Sequence, residues 1–110
     1  MSAQEAPSHP IGSRVLYEDD RLRVWELEVE PGDTFPQHHH MLDYVTVALD
    51  EGHLEVLDAD GSIVRNHRKV GDIQVTRVGQ GQIHALRNVG TTRYRNRIIE
   101  FKSEFKSSAL

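Results

Sequence analysis

The sequence of 110 residues has no cysteine. That absence excludes disulfides, thiolate metal ligands and a cysteine nucleophile, so any metal must be held by histidine, carboxylate, amide or water. It also lacks an apolar run approaching the roughly 20 residues that span a bilayer. The first ten residues carry no basic stretch followed by an apolar one and do not read as a secretory signal. We therefore expect a cytoplasmic protein with no membrane partner. Positive charge is short as well: 13 Lys and Arg stand against 17 Asp and Glu, for a net charge of −4. Non-specific nucleic-acid binding needs a basic footprint, so no nucleic-acid partner is expected. No convincing amphipathic-helix period, internal repeat or low-complexity run is found.

What the chain does have is alternation. Trp25, Leu27 and Val29 fall on one side of a period-two pattern, with Glu26, Glu28 and Glu30 on the other. This is the pattern of a half-buried strand. Further β runs are expected at Val15–Tyr17, Tyr44–Leu49, Leu54–Leu57, Ser62–Arg65, Ile73–Thr76, His84–Val89 and Arg93–Phe101, separated by Gly-, Asp- and Pro-rich turns. Asp60-Gly61 between two of them is a hairpin signal. About eight strands with turns every 8–12 residues predict an all-β antiparallel sandwich or small barrel. The length suits one domain. We expect an arm at residues 1–12, the barrel at 13–102 and a polar tail at 103–110, with Phe105 as an anchor for part of the tail.

The chemistry-bearing stretch is Gly32-Asp33-Thr34-Phe35-Pro36-Gln37-His38-His39-His40. In an extended segment side chains alternate, so His38 and His40 share a face and His39 points away. Neutral imidazole is the commonest protein ligand for transition metals, and two on one face make half a site. A third ligand has to come from elsewhere in the chain.

Gly32, His38, His40 and Gly52 resemble the first motif of the cupins. Gly71, Gly81, His84 and Asn88 resemble the second, with the spacing Gly-x-x-His-x-x-x-Asn. The resemblance covers roughly residues 14–101 and implies a double-stranded β-helix, the jelly-roll barrel. It also implies one divalent metal ion (Fe, Mn, Ni, Cu or Zn) held by His38, His40 and His84. The sequence departs from the family in two places. Tyr44 or Val45 stands where the family has a ligating glutamate, and the nearest acid, Asp43, reaches the site only if a bulge lies between Met41 and Tyr44. The fourth position is thus Asp43, no protein carboxylate, or Tyr44. The proline of the second motif is replaced around Gly79, which removes no ligand.

Other residues have plainer readings. Gln37, Tyr44, Gln82 and Asn88 are candidates to sit behind the ligands, with Tyr44 also a candidate acid; Asn88 reads more simply as the end of a strand. His9, His53 and His67 read as surface histidines. Arg93, Arg95 and Arg97 share a strand face, either as a solvated stripe or subunit contact or as a receptor for an anionic substrate. Trp25, Leu27 and Val29 read as core or dimer interface. The function implied is a metal-dependent enzyme acting on a small molecule in the barrel, of dioxygenase or isomerase type. The missing glutamate keeps open a non-catalytic small-molecule-binding or regulatory cupin. Open sheet edges suggest a homodimer.

Overall fold

The structure is a computed structural model that describes residues 10–102. His9 and Phe105 lie outside the described residues. Nine strands follow one another: β1 (Arg14–Glu18), β2 (Leu22–Val29), β3 (Thr34–His40), β4 (Tyr44–Ala48), β5 (Gly52–Asp58), β6 (Ile63–Arg68), β7 (Ile73–Thr76), β8 (Gln82–Asn88) and β9 (Tyr94–Phe101). The count exceeds the expected eight because the histidine stretch is itself a full strand.

The strands form two antiparallel sheets, one ordered β1-β2-β9-β4-β7 and the other β3-β8-β5-β6. This is the expected all-β jelly roll, the double-stranded β-helix. The alternation of β2 sets the larger sheet. Leu27 and Val29 face the interior and join Ile11, Tyr44, Ala48, Leu54, Tyr94 and Ile98 in the core. Burying each large apolar side chain there contributes about 1.5–3 kcal/mol. Ile11, at 5 % exposure, belongs to this core although it falls in the segment expected to be an arm. Trp25 packs against the same cluster, and its indole N–H donates to Glu100 Oε1 at 3.1 Å.

The opposite face of β2 lies against the outer face of β9, where Glu26 pairs with Arg97 and Glu28 with Arg95 in register. Arg93 bridges Glu28 at 3.1 Å and Arg95 bridges Asp50 at 2.9 Å. The arginine row is therefore a neutralised outer ladder pointing away from the interior. Exposed pairs of this kind contribute little each, about 0–1 kcal/mol. The inward face of β9 carries Tyr94, Asn96, Ile98 and Glu100, all buried.

Candidate metal centre

The smaller sheet positions the histidines. β3 and β8 pair antiparallel with His38 directly opposite His84 and His40 opposite Gln82. Because facing pairs lie side by side and residues i and i+2 share a face, the three imidazoles must converge. Their ring centroids are 4.7 Å apart for His38–His40, 4.7 Å for His38–His84 and 4.9 Å for His40–His84. One ring nitrogen from each lies within 4.8 Å of the others. His39, between the two, turns outward toward Gly81.

The register of β3 shifts between Phe35 and His38. Pro36 occupies that irregularity, where its missing N–H breaks no ladder. Its carbonyl accepts a 2.8 Å hydrogen bond from His38 Nδ1. A carbonyl can only accept, so Nδ1 carries the proton and Nε2 of His38 holds the lone pair.

Burial and mutual repulsion keep the other two rings neutral. Desolvation, followed by the neighbouring His38 and His84, depresses the pKa of His40 from 6.5 to about 2. Desolvation and His38 lower His84 to about 4, with Asp58 opposing. Nδ1 of His40 and Nδ1 of His84 are buried without a hydrogen-bond partner. Buried polar atoms are normally paired, so two orphans in one cluster call for an explanation. Three converging imidazoles, two of them held neutral, fit a borderline divalent transition metal.

The cluster lies on the wall of a cavity of about 360 Å³ between the sheets. The cavity is lined as well by Tyr94, Asn96 and Ile98 from β9 in the opposite sheet and by Asn66 and Arg68 from β6. That volume lies within the range of small-molecule sites.

Neither a protein-family model nor a curated protein matches the chain. Solved structures do match. A cupin domain from Bordetella pertussis Tohama I is 26 % identical, with a TM-score of 0.74 over 89 % of this chain and 93 % of that one. A double-stranded β-helix protein from Klebsiella pneumoniae is 24 % identical, with a TM-score of 0.64 over 90 % and 82 %. A polyketide cyclase from Streptomyces resistomycificus shares the fold at 19 % identity and a TM-score of 0.59, over 77 % of this chain and 57 % of its own. The chain has the fold of a small cupin domain.

Asp43 does not join the histidine cluster. It is exposed, and its Oδ1 accepts a hydrogen bond from the Val78 amide at 2.9 Å. Residues 41–43 are not a bulge within one strand; they carry the chain from β3 in one sheet to β4 in the other. The crossing turns Asp43 outward and brings Tyr44 in. Tyr44 stacks on His40 with centroids 4.1 Å apart and planes 19° apart. Its hydroxyl donates to Gln82 Oε1 at 2.8 Å. Burial raises the tyrosine pKa, so the hydroxyl keeps its proton.

Gln37 is exposed and does not lie behind the ligands. Asn88 is fully buried and closes the end of β8: its amide donates to the carbonyls of Val29 and Thr92, and its Oδ1 accepts from the Gly90 N–H. His53 and His67 are exposed cross-strand partners with stacked rings, and Glu51 contacts His67.

Sequence reasoning missed Arg68 and Gln74. Both line the cavity, as does Asn96 on the mixed face of β9 that the sequence offers as a barrel lining. The available signal was the alternation of Val64, Asn66 and Arg68 along β6, whose inward face is polar where a barrel wall would be apolar.

Proposed function

We propose that this cupin holds one divalent metal ion on His38, His40 and His84 and acts on a small molecule in the cavity, with dioxygenase- or isomerase-type chemistry. The observation that carries this reading is the convergence of three imidazoles, two with unpartnered buried ring nitrogens, on the wall of a 360 Å³ cavity. Bound there, the metal would supply Lewis acidity and open coordination positions, since only three protein ligands converge. The surrounding residues act on orientation and protons. The Pro36 carbonyl fixes the tautomer of His38. Tyr44 braces the ring of His40 and holds a proton on its hydroxyl at the cavity wall, shared with Gln82. The apolar surface of Leu27, Leu54 and Ile98 limits water around a bound molecule.

A second reading, a non-catalytic binding or regulatory cupin, is favoured by one feature: no carboxylate joins the histidines among the described residues. Elemental analysis of protein purified without added metal, then reloaded with Fe, Mn, Ni, Cu or Zn, tests the first reading. One ion per chain is expected, falling to near zero in His40→Ala. A wild-type protein that refuses all five ions would remove the metal reading and leave the binding one.

A further inference from the structure

The cavity carries a charge that the histidine cluster does not use. Arg68 ends β6 at 8 % exposure and lines the cavity. Buried charges are ordinarily paired with an opposite charge. Arg68 is not. Its Nη1 donates to Gln74 Oε1 at 2.7 Å, its Nη2 donates to the Asp72 carbonyl at 3.3 Å, and it contacts the Tyr94 hydroxyl. Every one of these acceptors is neutral.

The nearby acids are engaged elsewhere. Asp50 is held by Arg95 through two hydrogen bonds, and the Asp72 carboxylate accepts from the Lys69 N–H. Asp58 shares the cavity wall but accepts from the Ser62 hydroxyl and makes no ion pair with Arg68. Among the described residues no carboxylate oxygen bridges Arg68, whereas seven other arginines do pair with acids. A guanidinium offers five N–H donors. Three contacts leave at least two of them for something else. Across the strand pair Arg68 faces Gly52, which has no side chain to cover it. Beside it Asn96 donates to the Tyr94 hydroxyl at 3.3 Å, while its Oδ1 is buried without a partner.

We infer that Arg68 receives the carboxylate of a small organic acid bound in the cavity, with Asn96 Oδ1 accepting from a hydroxyl or amine on the same molecule. This deepens the proposed function and rests on its reading of the cavity as a ligand site, but not on the metal. A planar fork matched to a carboxylate makes the strong, oriented contact that an arginine can provide and a lysine cannot. Such a contact would fix one end of the molecule on β6 and β9 and turn the rest of it toward the three imidazoles.

The test uses EDTA-treated full-length protein at neutral pH, so that no carboxylate can bind through a metal. Acetate, benzoate and salicylate are titrated against acetamide, benzamide and salicylamide by calorimetry, with the Arg68 Nε–H resonance followed by NMR. The acids are expected to bind at least about tenfold tighter than their amides and to shift that resonance. Arg68→Gln is expected to erase the preference and Arg68→Lys to weaken it, with metal stoichiometry unchanged in both. Equal binding of acids and amides, failure of every acid to bind, or an unchanged preference in Arg68→Gln would overturn the assignment. The wild-type comparison stands even if the variants fail to fold. Acid binding by a protein that takes up no metal would sink the metal reading and leave this one intact.

Discussion

His40 is 2 % exposed and His38 is 4 % exposed, and with His84 they form a cluster that cannot accept protons without repulsion. The consequence for stability has a definite sign. The folded pKa values of about 2 for His40 and about 4 for His84 lie below the unfolded value near 6.5. The unfolded chain therefore binds more protons as the pH falls, and the metal-free fold loses stability below pH 6.5. Each pH unit costs about 1.4 kcal/mol per affected histidine until its folded pKa is reached. Urea denaturation of the metal-free protein between pH 7.5 and pH 5 should show this slope, and His40→Gln should flatten it. A flat wild-type profile would contradict the neutral cluster. Asn88 carries a different load. Three hydrogen bonds from one fully buried amide leave two carbonyls and an N–H bare when it is removed. Asn88→Ala is expected to cost about 2–4 kcal/mol, read as a lower denaturation midpoint with metal stoichiometry retained.

Among the elements, β3 and β8 form the site, and the turn before β8 sets how they meet. Gly81 closes that turn with φ +119°, and a Cβ there would meet the ring of His39. Gly81→Ala thus combines backbone strain with a clash. It is expected to lower stability by about 1–3 kcal/mol and to weaken metal uptake, whereas Gly61→Ala, strained but in open space, should lower stability only. Much of this was legible in the sequence. Period-two alternation located β2 and placed His38 and His40 on one face, and the Asp60-Gly61 pair located the β5–β6 hairpin. The part that was not legible depends on how strands change sheets. Nothing local in Met41-Leu42-Asp43 announces a crossing, so the sequence alone leaves Asp43 a candidate ligand. Arg68 was hidden for a related reason: a polar residue at a strand end looks solvated until the opposite sheet covers it. Glu26 obeys the alternation but is buried, because Arg14 and Arg97 lie over it.

At the scale of the whole molecule, the two sheets end on β1, β3, β6 and β7, each with a single neighbour. Ile73 and Val75 on β7 are 67 % and 64 % exposed, and Val70 just before it is 70 % exposed. An open edge carrying apolar side chains is a template for another strand. We propose that two copies of the chain pair through this edge as a homodimer. Light scattering at micromolar concentration should give twice the chain mass, and Val75→Lys should give the chain mass. A wild-type monomer under those conditions would refute the pairing.

The register shift at Pro36 has one more consequence. Were β3 to slide by a single residue along β8, His39 would turn inward and both its neighbours would swing out to solvent. The cavity would then show two imidazoles instead of three. Ion capture would thus report the threading of the barrel, since a chain shifted by one residue would offer one ligand fewer.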